Sequence, residues 1–398
     1  MKKQEKIFMD HASTTPVLLE VFSAMKPFLM NKFFNSQAIY ERGVDVNKAT
    51  ENAREKIAKI LNSHSDEIVF TGSGTESDNL ALFGVIEDAW KKFKKPHMIV
   101  SSFEHPAILE AAKKIQKYGG EITYLGPDHD GIIQPALLKK FLKQNTVLVS
   151  IMYANNEIGV IQPIREIAKV IRDFKKNRLA RKNFARQNFG GPYFHTDATA
   201  AANYLSLNTL ELHVDLMTLD SSKIYGPKGV GALFRRRGTP IEPQIVGGGQ
   251  EGGVRSGTEN VAGIVAFAKA LFIVQSDREK ESKRLTKLRD YAISEIKRTY
   301  KHAKLNGSFG NRLPNNINFC FPGLDSEFAV IKLDTLGIEC SSASTCKSMS
   351  ETTNSYVIEA IGNGGCAESS LRFTFGRSTT KNEVKKMLLA LKKVLKNI

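Results

Sequence analysis

A chain of 398 residues is too long for one small core, and the expectation is two domains or one large domain with a satellite. Its 41% hydrophobic and 25% charged content is ordinary for a soluble globular protein, and no apolar run approaches the ~18 residues of a membrane span. The formal net charge of +16 favours acidic partners such as nucleic acid, although solvated surface lysines are the plainer explanation.

The opening "MKKQEKIFMDHASTTP" has two early lysines but no apolar segment behind them, so no signal peptide is expected and the expected compartment is the cytoplasm. Four cysteines (Cys320, Cys340, Cys346 and Cys366) form no CxxC pair, no cluster with zinc spacing and no disulfide framework. No metal site is expected. Each cysteine reads as a buried apolar residue or a reactive thiol.

In chain order, "KATENAREKIAKILN" puts Ala49, Ala53, Ile57, Ile60 and Leu61 on one helical face. "EIVF" is a short strand, followed by "TGSGTESDNLALFGVIEDAW" as turn and helix. "HMIVSS" is a strand, "PAILEAAKKIQKYGG" a helix ended by glycine, and "EITYL" a strand. "VLVSIMY" is a near-continuous buried strand, and "PIREIAKVIRDFKK" a helix opened by proline. "PYFHTD" and "DLMTLD" are further strands. This alternation predicts an α/β fold with a mostly parallel central sheet. From Thr258 to about His302 the pattern is helical. The last hundred residues mix strands ("NINFCF", "LRFTF") with helices, which suggests a smaller α+β domain. The boundaries drawn are 14–262 for the large domain and 263–398, with 1–13, for the small one. "RDFKKNRLARKNFARQNFGG" carries seven basic residues and one acid, and reads as a helix extended into an exposed basic arm. Contact of that arm with tRNA or an acidic acceptor and a plain solvated insertion both fit its composition.

Three features carry chemistry. "TGSGTESDN" follows a strand and opens a helix, so its glycines and the helix N-terminus form a candidate phosphate cradle with Gly74 and Thr75 nearest the anion. An ordinary strand-to-helix turn explains that stretch equally well on its own. Asp197 ends one strand, and Lys223 ends the next, 26 residues on. Strand ends are where parallel α/β sheets bind ligands. A cradle, an Asp and a Lys at neighbouring strand ends fit pyridoxal phosphate, with Lys223 forming the Schiff base and Asp197 pairing with the pyridinium nitrogen. Any one of these residues alone reads as a surface charge.

The segments "MDHASTTP", "VFTGSGTESDNLA", "EHPAILEAA", "SIMYANNEIGVIQPI", "HTDAT", "VDLMTLDSSKIYGPKGVGALF", "GGGQEGGVRSGTENV" and "SSLRFTFGR" occur in the order found in one family. Through them the chain resembles the cysteine desulfurases of the NifS/IscS type, which are PLP enzymes of the class V aminotransferase fold (the PLP-dependent transferase type I fold). The resemblance implies a homodimer that converts L-cysteine to L-alanine and hands sulfur to an acceptor protein, for iron–sulfur cluster assembly or tRNA thiolation. It implies that Lys223 holds PLP, Asp197 its ring nitrogen, and Gly74, Thr75 and Ser222 its phosphate. Thr258 would reach that phosphate from the partner subunit. His105 would stack on the ring and transfer protons, Asn156 would lie by the ring hydroxyl and the substrate carboxylate, and Arg372, with Asn35, would hold the substrate. Cys346, in the Ser/Thr-rich "ECSSASTCKSMSETTNSY", would carry the persulfide. Another class V enzyme, such as a selenocysteine lyase, and a catalytically impaired scaffold of the same fold are the alternatives.

The chain departs from the family around the cofactor. Members usually carry Ser and His at the positions of Asp220 and Ser222, Gln at Ala200, and Asn-Pro at Asn35-Ser36. A carboxylate at position 220 would repel a phosphate dianion unless it turned away or bound a cation. Weaker PLP binding with some activity kept is the expectation.

Overall fold

The computed structural model describes residues 6–179, 189–342 and 354–397. Its first half runs β1 (Ile7–Phe8), α1 (Leu19–Met30), α2 (Glu41–Leu61), β2 (Ile68–Thr71), α3 (Gly74–Trp90), β3 (His97–Ser101), α4 (Pro106–Lys117), β4 (Glu121–Leu125), α5 (Pro135–Phe141), β5 (Thr146–Ser150) and α6 (Ile164–Leu179). There follow β6 (Tyr193–Asp197), α7 (Thr209–Leu212), β7 (Leu216–Asp220), β8 (Gly231–Arg235), α8 (Val261–Ser276), α9 (Arg278–Thr299) and β9 (Lys304–Leu305). The chain ends with β10 (Asn316–Cys320), α10 (Ser326–Thr335), β11 (Ile338–Glu339), β12 (Ser341–Ser342), α11 (Tyr356–Ala360), β13 (Ser370–Thr374) and α12 (Lys381–Val394).

Seven strands form the central sheet in the order β2-β8-β7-β6-β5-β3-β4. Strands β3 to β7 pair in parallel, and β8 runs antiparallel to both β7 and β2. The mostly parallel sheet expected from the sequence is present. β3, β5 and β6 are buried at every residue, because helices cover both faces of such a sheet, so these strands read as apolar runs rather than alternations. A separate four-stranded antiparallel sheet, β12-β13-β10-β9, lies in the last hundred residues. The N-terminal β1 pairs in parallel with β11, Ile7 opposite Ile338, so the first residues join the C-terminal region. α8 packs on α1 and α2.

Local signals explain the elements that shape the site. Ser73 caps α3 by accepting from Glu76 N–H, which leaves the Gly74 amide at the helix start facing the end of β7. α4 opens on Pro106, whose missing N–H costs nothing there, and the His105 side chain accepts from Ala107 N–H.

Two readings from the sequence need correction. Arg178 is not on an exposed arm: it is 1% exposed, and its guanidinium donates to the carbonyls of Gln144, Thr146 (2.9 Å) and Gly191. It satisfies backbone acceptors where β5 and β6 begin, a task that a long five-donor cation performs from a helix end. The rest of the basic stretch, residues 180–188, lies outside the described residues. Cys320 and Cys366 are joined in a disulfide, with Cα atoms 5.4 Å apart and Cys366 6% exposed, so neither is the free buried residue or reactive thiol expected. Antiparallel pairing of β10 with β13 sets Cys320 opposite Ser370 and brings the turn before β13 beneath it.

Candidate active site

The site begins with the turn after β7. Asp220 ends the strand, and Ser221–Lys223 form a single 3-10 turn capped by the Asp220 side chain. The chain then reverses through Tyr225, at φ +65°, and Gly226. A Cβ at Gly226 would sit 2.1 Å from Ser221 Oγ, so any side chain there would have to displace that hydroxyl. The N-terminal "STTP" segment fastens this turn. Thr15 donates both its N–H and its hydroxyl to Ser222 O, at 2.9 Å each, and its Oγ1 accepts from Tyr225 N–H. Asn203 donates to Lys223 O. The Lys223 ammonium points at Ser13 O. Lys223 is thus fixed at both its backbone and its tip, unlike a solvated surface lysine.

Around it lies a cavity of about 370 Å³ at the ends of β6 and β7. Of the residues singled out from the sequence, the cavity brings together Lys223, Asp197, His105, Gly74, Thr75, Asn156, Ser222 and Arg372. Ala200 and Asp220 line it too. Two residues lie elsewhere. Thr258 and Asn35 are exposed and do not line it. Their neighbours are tied to each other, because Ser36 Oγ donates to Glu259 at 2.8 Å. Cys346 lies outside the described residues. Both described ends of its segment are fixed near the cavity: Ser341 Oγ accepts from Arg372, and Ser355 Oγ donates to Glu157 Oε2 at 2.7 Å.

His105 reaches the cavity from the start of α4. Its Nδ1 accepts from Ala107 N–H at 3.2 Å, so the neutral ring carries its proton on Nε2. Burial holds its pKa below the ordinary histidine value, with Asp197 opposing and Lys223 assisting. Arg372 arrives from the other side, on β13, paired with Asn318 and Ser341. Its guanidinium donates to Asp10 (2.8 Å), Ser13 Oγ (2.9 Å), Ser341 Oγ (3.1 Å) and Asn156 O (3.2 Å).

Sequence reasoning missed several wall residues. Asp78, one turn into α3 from Gly74, is buried, and burial with the nearby Asp197 charge pushes its carboxyl well above the usual range. His11, Ser13, Asn203, Asn315 and Thr374 also line the cavity. Among the described residues, four buried polar atoms on this wall have no hydrogen bond: Asp78 Oδ1, Asn203 Oδ1, Asn315 Oδ1 and Arg372 Nε. Buried groups are rarely left unsatisfied unless something else completes them.

Asp220 does not turn away from the helix start. Its Oδ2 accepts from Gly74 N–H at 2.8 Å, and its Oδ1 accepts from Ser222 N–H at 2.7 Å and Ser222 Oγ at 2.5 Å. The carboxylate occupies the mouth of the cradle.

The aminotransferase class-V family model matches residues 7–387. The cysteine desulfurase IscS of Dictyoglomus turgidum is 44% identical over 396 residues, covering 99% of this chain and 96% of that protein. Among solved structures, one titled NifS-like protein superposes with a TM-score of 0.88 at 31% identity, covering 99% of this chain and all of that one. Another, titled SspA in complex with cysteine, gives a TM-score of 0.77 at 31% identity over 92% of this chain and 98% of its own. The chain belongs to the class-V aminotransferase family of PLP-dependent enzymes, on the fold of the NifS-like proteins.

Proposed function

We propose that this chain is a PLP-dependent cysteine desulfurase that converts L-cysteine to L-alanine and leaves the sulfur as a persulfide on Cys346. The observation that carries the proposal is the cavity itself. It sets an anchored lysine, a strand-end aspartate, a half-buried histidine and a buried arginine around one space at the sheet's edge. The names of the full-length relatives and the cysteine bound in the SspA structure support the same substrate.

The ring end of the cavity fits the cofactor. Lys223 would bind its aldehyde, Asp197 would face its ring nitrogen and His105 would lie on its ring. The unsatisfied polar atoms on the wall are those a polar ligand would complete. When bound, the cofactor acts as the electron sink that makes the substrate Cα–H acidic. Arg372 would hold the substrate carboxylate with a fork already oriented by Asp10, Ser13 and Ser341. His105, whose Nδ1 accepts from Ala107 N–H, would present its Nε2–H to the reacting groups as a hydrogen-bond donor during the proton transfers. Lys223, freed when substrate enters, moves the proton at Cα. Cys346 as thiolate then forms the S–S bond as the substrate's C–S bond breaks, its electron pair staying with carbon. A proton replaces sulfur there, which gives alanine.

The active unit is a homodimer in this reading. Exposed large apolar side chains concentrate on α1 and the segment after it, at Leu19, Leu29, Met30, Phe33, Ile39 and Tyr40. A second copy is the natural cover for such a surface. Thr258 and Asn35, outside their own cavity yet linked through Ser36 and Glu259, would serve the partner's site. The division into 14–262 and 263–398 with 1–13 is kept, supported by the pairing of β1 with β11. The sulfur acceptor is an iron–sulfur scaffold or a sulfur carrier for tRNA thiolation. Among the described residues no helix is long and apolar enough to cross a membrane; the cytoplasm is the proposed compartment.

Alanine release from L-cysteine by the PLP-loaded chain tests the activity. Cys346→Ser should keep substrate binding and lose turnover. Full turnover without Cys346 would place the sulfur elsewhere, and no alanine from the native chain would favour the impaired scaffold.

A further inference from the structure

We propose that Asp220 is a built-in anion in the phosphate cradle, so that the pocket accepts an unphosphorylated pyridoxal-class aldehyde nearly as well as its phosphate ester. The inference rests on the reading that Lys223 takes the aldehyde.

Three donors that face the cradle are spent on one side chain: Gly74 N–H, Ser222 N–H and Ser222 Oγ. Gly74 begins the 17-residue α3, whose N-terminus carries partial positive charge and favours an anion. A carboxylate satisfies that end as a phosphate oxygen would. The placement is framed by backbone. Asp220 pairs with Gly231 in the β7–β8 register, and a Cβ at Gly231 would lie 2.7 Å from Ser73 C. A Cβ at Gly74 would lie 3.2 Å from Asp220 Cβ and 3.4 Å from Thr199 Oγ1, so the space over the helix start is filled. Asp220 is also the cap of the turn that carries Lys223, so swinging it out would undo that cap.

The surrounding charges add to the effect. Asp197 shares the cavity wall with Asp220. Arg255, the guanidinium beside Gly72, is paired with Glu76 at 2.7 Å, and Arg372 is paired with Asp10 at 2.8 Å. A phosphate dianion entering here would meet an added negative charge and lose its helix N–H. The unphosphorylated aldehyde would meet neither loss.

The test is equilibrium binding of pyridoxal and of pyridoxal phosphate to the full chain freed of carbonyl ligand, read from the visible absorption of the bound aldehyde. Native protein is compared with Asp220→Ser, Asp220→Asn and Lys223→Ala. Asp220→Asn removes the charge while keeping one acceptor oxygen and the side-chain shape, so it serves if the serine variant folds poorly. The expected result is a native preference for the phosphate ester below about tenfold, rising at least about tenfold in either Asp220 variant through tighter binding of the ester. A strong native preference for the ester that neither variant changes would overturn the proposal. Absent binding of both aldehydes, or binding that survives Lys223→Ala, would instead remove the cofactor reading on which it stands.

Discussion

Arg372 holds Asp10 at 2.8 Å while its Nε stays buried without a partner. The guanidinium is held through both terminal nitrogens, by Asp10, Ser13, Ser341 and the Asn156 carbonyl, and among the described residues its Nε alone has no partner. A site built to meet a second carboxylate has this form, because a planar cation can share two anions only if its donors diverge. Arg372→Lys should raise the KM for L-cysteine by about tenfold or more, with a smaller change in kcat. The bound-cofactor absorption should stay the same. Steady-state kinetics beside the spectrum separates these effects, and an unchanged KM would remove Arg372 from substrate binding.

The segment that carries Cys346 is anchored after its far end by Tyr356, whose hydroxyl donates to Glu104 O at 2.6 Å, and by Ser355 on Glu157. These anchors join the C-terminal region to the "EHP" and "NNEIG" segments. Ser355 also caps α11 through Ile358 N–H. Tyr356→Phe should lower kcat several-fold while leaving KM and the cofactor spectrum unchanged, because it loosens the approach of the thiol and not the binding of the amino acid. Single-turnover persulfide formation is the direct readout.

Glu104 is buried beneath this contact, accepting from Met152 N–H at 2.8 Å and from Ser101 Oγ. Burial pushes its carboxyl from 4.5 up to about 8. Between these pH values the folded chain keeps a proton that the unfolded chain has released. Stability contributed here therefore falls as pH rises from about 4.5 to about 8 and is level above that. Glu104→Gln keeps the acceptor oxygen and removes the ionisation. Its stability relative to native should improve from pH 5 to pH 8 by an amount on the order of 1 kcal/mol or more. Denaturant midpoints at the two pH values measure this.

Two core histidines act with the opposite sign. His97 bridges Thr146 and Thr123, and His195 bridges Ser150 and Thr218, at 2.8 to 3.0 Å. Burial lowers their pKa values to about 4 and about 3. Below the ordinary histidine value of 6.5 the unfolded chain binds protons that the folded chain refuses, so stability is lost as pH falls from 6.5 toward 4. His97→Gln should flatten the acid side of the curve of unfolding temperature against pH. An unchanged acid slope would mean that other groups dominate it.

Some of the site was legible from short segments. Gly74, Asp197 and Lys223 announce themselves because a glycine turn and polar residues at the ends of apolar strands are local signals. His105, Asn156 and Arg372 carry no such signal and became visible only through resemblance. Asp78 sits within a helix and Asn315 just before a strand, and only the topology turns them toward the cavity. The bond between Gly74 and Asp220 spans 146 residues and depends on β8 placing the end of β7 beside the start of α3. The sequence could show that a carboxylate stood near the cradle, but not that it would occupy it. Arg178 was misread for a related reason: its charge run suggests solvent, while the carbonyls that bury it come from distant strand starts.

The visible absorption spectrum of the purified chain before and after L-cysteine tests the central claim most directly. The account predicts a band from aldehyde bound to Lys223, absent in Lys223→Ala, that shifts when L-cysteine is added and is followed by alanine. No band after soaking in excess cofactor, or a band indifferent to both cysteine and Lys223, would contradict it.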